Sequence, residues 1–381
     1  MFNAHGTRLS LRRIIWWSSL CLFIVLAIPV TRQNFIFCGL RWLYVFLLAF
    51  SLSSLLTPPM RLFALKRGIV DIPGGRKIHE QRTPLLGGVA VVTAFTASIL
   101  SNMILSYEVV ALLAGGIVIA VTGVADDWRG IPARLKLMVQ VCVVLYLIHA
   151  GIILDLFPQT LWGYPLNLLF TMIWIIGIIN AMNFIDGMDG LASGVGAIIA
   201  MFMSLVAFQT DQPFMGWIGL AMMGSCIGFI PYNFAMRKPA AIYLGDAGST
   251  FIGFMLASLA IMGDWADNSR IVSFSAPVLI FWILIYDMTY ITIERILTGK
   301  VQNLREWIDY VGTDHIHHRF HRLLGDKKRS VLLIYFLCIT LGISALTLRN
   351  AGPVEGILLV VQAFFVTIIV SIIEYTSRHR T

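Results

Sequence analysis

Long apolar runs separated by short polar turns dominate this sequence. Twelve runs have approximate cores at 14–30, 40–60, 87–105, 109–124, 136–151, 166–181, 192–208, 214–231, 248–263, 273–293, 331–347 and 354–374. A bilayer-spanning helix needs roughly 17–25 apolar residues. The pattern therefore predicts an all-α polytopic membrane protein with about 11–12 transmembrane helices. No segment between the runs is long or polar enough to read as an extramembrane domain, so residues 1–381 are expected to form a single integral membrane domain.

Composition agrees with that pattern. Of the 381 residues 58% are hydrophobic and 13% charged, about half the charged share of a soluble domain. The net charge of +8 would suggest nucleic acid in a soluble protein. Here the cations lie in turns between spans, where topology and anionic lipid or substrate account for them, and no nucleic-acid partner is expected. If the N-terminus is cytoplasmic, 24 of the 28 Lys and Arg fall on the inner side, leaving Arg32, Arg41, Arg270 and Arg349 outside. That bias puts both termini in the cytoplasm. The first run continues through Ile28-Pro29-Val30 without a small-x-small cleavage site, so it is expected to stay as a helix. Five scattered cysteines give neither a disulfide framework nor a CxxC metal pair.

The inner turns carry the candidate chemistry, beginning with three groups of carboxylates at the ends of apolar runs. Asp126 and Asp127 close one run; adjacent carboxylates at a helix C-terminus face the negative end of its dipole and each other. A metal ion, Arg129, Arg134 or Lys136 could compensate them, or the pair could be a solvated helix end. Asn183, Asp186 and Asp189 stand at i, i+3 and i+6, close to one helical face, and suit a hard cation or the donor edge of a base. Asp246 opens a run inside Tyr243-Leu244-Gly245-Asp246-Ala247-Gly248-Ser249-Thr250. There it could cap the helix or adjoin a phosphate site.

Two further inner segments are rich in hydrogen-bond donors. Residues 61–86 form a Pro- and Gly-marked loop with Lys77 and Arg82 as phosphate-binding candidates, whereas Arg61, Lys66 and Arg67 read as positive-inside anchors. The loop 294–330 contains Asp314-His315-Ile316-His317-His318-Arg319-Phe320-His321-Arg322. Zinc would want cysteine or more carboxylate partners. A cluster of imidazoles and guanidinium groups fits a diphosphate better.

Taken together these segments resemble the polyprenyl-phosphate N-acetylhexosamine-1-phosphate transferases. The likeness is closest to the UDP-GlcNAc:undecaprenyl-phosphate type and extends to the peptidoglycan MurNAc-pentapeptide translocases. The likeness runs from about Val70 to Arg322 and keeps motif order: Val-Asp-x-Pro-x-x-Arg-Lys, Pro-Leu-x-Gly-Gly, Asp-Asp, Asn-x-x-Asp-Gly-x-Asp-Gly-Leu, Leu-Gly-Asp-Ala-Gly-Ser-Thr and His-x-His-His. The resemblance implies attack of undecaprenyl phosphate on a UDP-N-acetylhexosamine, giving undecaprenyl-diphospho-sugar and UMP. It implies Mg²⁺ as cofactor, with Mn²⁺ as a substitute. Asp246 is implied as its principal ligand, assisted by Asn183. Asp126 and Asp127 would lie near the lipid phosphate, one of them removing its proton. Asp189 would read the uracil, with Tyr243 stacking near it and Asp186 in the same substrate pocket. Lys136, His315, His317, His318 and Arg319 would bind phosphates or shape their pocket.

On this reading residues 1–60 are N-terminal helices, 61–330 the catalytic core and 331–381 C-terminal helices. The site would face the cytoplasm of the bacterial inner membrane, with a second copy of the chain as a candidate partner. His315-Ile316-His317-His318 departs from the three consecutive histidines of the peptidoglycan branch and favours GlcNAc. Trp128-Arg129-Gly130 follows the Asp pair where enterobacterial relatives have a third Asp. Two spans precede Val70 where one is expected. The segment from Val301 to Gly312 also differs, which leaves another UDP-N-acetylhexosamine or MurNAc-pentapeptide as alternative donors. A secondary transporter, the alternative from another class, would place ionisable groups near the bilayer midplane and show half-chain repeats.

Overall fold

A computed structural model describes residues 11–71, 82–234, 239–266, 270–303, 306–307, 310, 312, 314–348 and 351–378. Its helices are α1 (Leu11–Ala27), α2 (Pro29–Phe37), α3 (Arg41–Arg67), α4 (Gly87–Ser101), α5 (Tyr107–Arg129), α6 (Ala133–His149), α7 (Gly163–Ile185) and α8 (Leu191–Gln209). They continue with α9 (Pro213–Asn233), α10 (Gly245–Met262), α11 (Arg270–Ile280), α12 (Trp282–Leu297), α13 (Ile316–Leu324), α14 (Lys327–Leu346) and α15 (Pro353–Arg378). The protein is an all-α, multi-pass membrane protein.

Each of the twelve apolar runs falls on helix, but the runs do not all make one uninterrupted span. Among the described residues, eight helices are long and apolar enough to cross a membrane alone, or up to ten with two bent pairs counted as spans. The first pair, α1 and α2, bends by 79°. Pro29 forces its cause: Ile28 before it is extended (φ −70°, ψ 122°), as steric conflict with the proline ring demands. The pair around Phe281 bends by 76°, with Phe281 off helical geometry at φ −92°, ψ 5°. The runs at 87–105 and 136–151 become helices of 15 and 17 residues.

The centre of the bundle is α10, packed by α4, α5, α7 and α8. Every residue from Ala247 to Ala260 is buried. Small residues allow this approach, which is how helices associate in lipid, where apolar burial alone gives no advantage. A Cβ at Gly123 of α5 would lie 2.5 Å from the Ala247 backbone, and one at Gly253 of α10 would lie 3.0 Å from Ile178 in α7. At Gly88 it would collide with the Gly248 backbone. These contacts bring the ends of α4, α5, α7 and α10 to one place.

A short antiparallel pair, β1 (Val70–Asp71) and β2 (Thr83–Pro84), closes the first polar loop. Its foot is sewn to the start of α10. Tyr243 N–H donates to Pro84 O at 2.8 Å, Gly87 N–H to Tyr243 O at 3.0 Å, and Gly88 N–H to Leu244 O at 2.7 Å.

Candidate active site

The C-terminal end of α5 meets the N-terminal end of α10. Gly245, at φ +75°, makes the turn; a Cβ there would be strained and would lie 2.5 Å from Asp127 Oδ2. Asp127 instead accepts hydrogen bonds from the N–H groups of Asp246 (2.9 Å) and Ala247 (3.3 Å). A carboxylate from another helix thus satisfies the exposed amides of α10. Asp246 does not cap its own helix, so its carboxylate is left for other work.

Lys136 of α6 completes this cluster. Its ammonium donates to Asp126 Oδ2 at 2.6 Å and to Asp246 Oδ2 at 2.9 Å. Asp126 Oδ1 also accepts from Ile131 N–H at 2.5 Å, and the carboxyl groups of Asp126 and Asp246 lie within hydrogen-bond reach of each other. Lys136, rather than Arg129, balances the pair; the Arg129 guanidinium sits 4.9 Å over the Trp128 ring. Asn183 at the end of α7 reaches Asp246 and donates to Ser249 Oγ at 3.0 Å. A narrow crevice lined by Ile119, Thr122, Gly123, Lys136, Gln140, Asp246 and Thr250 runs beside this cluster between α5, α6 and α10.

Asp186 follows α7. Burial holds its carboxyl well above the usual carboxylate range, and the charges of Asp246, Asp127 and Asp189 push the same way. It lies close enough to feel the charges of both the lysine-bridged cluster and Asp189, which belongs to a second region. There a cavity of about 350 Å³ is lined by Asp189, Met188, Tyr243, Arg82, Arg61, Ala240 and the start of α14 at Lys327 and Lys328, among others. Asp189 Oδ2 accepts the Ala240 N–H at 2.9 Å. Burial pushes the Tyr243 phenol up to about 12, against a hydrogen bond with Thr83 and with the help of neighbouring carboxylates.

The histidine segment closes over the loop after α7. His315 stacks on Phe184 with ring centroids 5.1 Å apart, and its Nδ1 lies 2.8 Å from Asp287 Oδ2. Asp287 Oδ1 also accepts from Ile316 N–H at 2.6 Å, which fixes the first turn of α13. His317 is buried with neither ring nitrogen hydrogen-bonded. Its Nε2 faces Gly187, where any Cβ would collide with the ring. Burial, then the positive neighbours His318, His315 and Arg319, hold His317 well below its ordinary value. His318, half-buried, is lowered for the same first reason.

The sequence-predicted residues thus fall into two adjoining groups. Asp126, Asp127, Lys136, Asn183 and Asp246 meet at the α5–α10 junction; Asp189, Tyr243 and Arg82 line the cavity, and Asp186 lies between them. The imidazoles of His315, His317 and His318 lie against the same loop. Arg319 differs: its guanidinium is buried 4.0 Å over Tyr290 and 3.8 Å from Asp287, so it is engaged inside the protein. Lys77 lies outside the described residues. Sequence reading passed over Asp287, whose available signal is a carboxylate inside an apolar run. It read Arg61 as a positive-inside anchor, whereas the side chain also lines the cavity.

Among the described residues, no three His, Cys, Asp or Glu side chains converge to hold a metal by themselves. This sparse set nevertheless fits Mg²⁺, which takes one or two carboxylates and completes its shell with water and substrate phosphate.

Residues 109–264 match the family model described as glycosyl transferase family 4. The chain is 31% identical to the probable undecaprenyl-phosphate N-acetylglucosaminyl 1-phosphate transferase of Bacillus subtilis, over 82% of this chain and 86% of the relative. It is 28% identical to the decaprenyl-phosphate N-acetylglucosaminephosphotransferase of Mycolicibacterium smegmatis, over 84% and 85% of the two chains. A phospho-N-acetylmuramoyl-pentapeptide-transferase of Synechococcus is 34% identical over 56% of this chain and 66% of its own. The chain belongs to the polyprenyl-phosphate N-acetylhexosamine-1-phosphate transferases of glycosyl transferase family 4.

Proposed function

We propose that the protein transfers GlcNAc-1-phosphate from UDP-GlcNAc to undecaprenyl phosphate, releasing UMP, as the first membrane step in building a cell-envelope polysaccharide. The observation that carries this reading is the Lys136 bridge between Asp126 and Asp246, beside a crevice between helices, with the Asp189–Tyr243 cavity lined by the loop that follows α7. One end suits a lipid phosphate and the other a nucleotide. The N-acetylglucosamine phosphate group named as transferred by the Bacillus and Mycolicibacterium relatives supports the choice of sugar.

The acceptor phosphate oxygen attacks the β-phosphorus of the donor; the bond from that phosphorus to the α-phosphate bridging oxygen breaks, and UMP leaves. Little covalent work falls to the protein in such a transfer, which depends on positioning and on neutralising charge. One carboxylate of the Asp126–Asp127 pair takes a proton from the acceptor phosphate; Asp126 is held by Lys136 and the Ile131 N–H, and Asp127 by the α10 amides. Lys136 offers its ammonium to phosphate oxygens. The unpartnered nitrogens of His317 and the half-buried ring of His318 supply further polar contacts near the Asp186–Asp189 loop. Asp246, with Asn183, would hold Mg²⁺, which when bound offsets the negative charge of the diphosphate. Asp189 and Tyr243 contact the uracil end. The site lies on the cytoplasmic face of the inner membrane, where nucleotide sugars are available.

The test is UMP release by purified protein with Mg²⁺, undecaprenyl phosphate and a panel of UDP-sugars. Release that requires lipid phosphate and metal, with UDP-GlcNAc the best donor, is the expected result. Release without lipid phosphate, or from no donor by folded protein, would refute the reading.

A further inference from the structure

A second cleft, of about 470 Å³, lies beside the nucleotide cavity and shares Arg61 and Ala241 with it. Its wall is Arg12, Arg13, Trp16 and Trp17 of α1, Thr57, Pro58 and Arg61 of α3, and Tyr232 of α9. Three guanidinium groups face a space that, among the described residues, is lined by no carboxylate. Arg12 donates to Pro231 O (3.1 Å) and Pro239 O (3.3 Å), and Arg61 to Ala241 O (3.0 Å). Backbone carbonyls orient these cations without neutralising them. Arg13 is exposed and makes no hydrogen bond or ion pair among the described residues.

The depth of the cleft follows from the chain. Arg12 and Arg13 immediately precede the first apolar run, and Arg61 immediately follows the second. Two tryptophans at such a junction are the amphipathic pair that favours the headgroup level. Converging cations at that level attract anionic lipid.

We propose that this cleft binds the phosphate of an anionic phospholipid between Arg12, Arg13 and Arg61. The bound headgroup also steadies the wall of the nucleotide cavity. Arg12 and Arg61 hold the carbonyls on either side of Ala240, and the Ala240 N–H holds Asp189. This second consequence rests on the uracil role proposed for Asp189; the lipid site itself does not. Arg12 and Arg61 are positioning residues on this account.

The experiment is native mass spectrometry of the full-length protein in detergent with phosphatidylglycerol or phosphatidylcholine at equal concentration. Phosphatidylglycerol should be retained preferentially. R13Q, which removes no hydrogen bond or ion pair among the described residues, should lower that retention about fivefold. Equal retention of the two lipids by wild type, or unchanged retention by R13Q, would overturn the site. Displacement of phosphatidylglycerol by inorganic phosphate would reassign it to a free anion, and displacement by stoichiometric undecaprenyl phosphate would reassign it to the acceptor. Either would overturn the proposal. In kinetics, R12Q and R61Q should raise KM for the UDP-sugar severalfold with kcat little changed, and R61K should restore part of the loss. A fall in kcat at constant KM would refute the positioning role. Lipid retention is read without turnover, so failure of the transferase reading would leave that arm intact.

Discussion

Replacing Lys136 with methionine removes the ammonium that holds Asp126 and Asp246 together while keeping a chain of similar length. Two charge-assisted hydrogen bonds, at 2.6 and 2.9 Å, are lost. Each is worth about 1.5–3 kcal/mol in a protein. The Lys136 side chain is 25% exposed, so the low end applies to both after solvent screening. The sum is about 3 kcal/mol, or roughly a 10²-fold fall in kcat/KM if the ammonium acts on the phosphate in the transition state. Removing it also leaves two carboxyl groups in contact with no shared cation, so unfolding temperature should fall. The assay is UMP release in phosphatidylglycerol-containing nanodiscs, with thermal unfolding alongside and K136R as the charge-preserving control. K136M turnover within threefold of wild type, at equal folding, would refute the argument that this cation serves the chemistry.

Asp246→Ala should abolish turnover while the protein still folds, because Asp127 rather than Asp246 caps α10; wild-type rates would remove the metal role. Asp189→Ala should raise KM for the UDP-sugar more than for the lipid phosphate, and unchanged donor KM would count against the uracil contact. Gly123→Ala places a methyl group 2.5 Å from the Ala247 backbone and should destabilise by about 1–3 kcal/mol, read as a lowered thermal midpoint with reduced kcat; a neutral effect would mean that α5 and α10 can separate without cost. Because burial holds His317 well below its ordinary value, the unfolded chain binds the extra proton first. Its stability contribution is complete above about pH 6.5 and is lost as pH falls below that. Thermal midpoints should therefore decline on acidification from pH 6.5, and H317N should decline less; parallel curves would exclude this residue as the source.

Much of the architecture is written in the one-dimensional pattern, because a bilayer admits only internally hydrogen-bonded helices of a fixed minimum length. The twelve apolar runs fall on helix for that reason, and motif order alone places the chain in its family. Spacing also isolates Asp126, Asp127, Asp186, Asp189 and Asp246, since carboxylates at the ends of apolar runs are conspicuous. What the sequence does not state is how these carboxylates divide the work. Asp126 and Asp127 are equivalent in one dimension. Only the approach of α5 to α10, through Gly123 and Gly245, gives Asp127 the helix amides and leaves Asp126 with Lys136. The partnership of Asp287 with His315, the burial of Arg319 against Tyr290, and the reach of Arg12 to Pro239 join residues 28, 29 and 227 positions apart. Contacts of that kind depend on which helix faces meet, and hydrophobic periodicity does not encode a partner. The bend at Phe281 belongs to the same class, since an apolar run reads alike whether its helix continues or turns. The chain's own pattern determined that it spans a membrane and which polar clusters it carries; close packing of its small residues decided which of those groups meet.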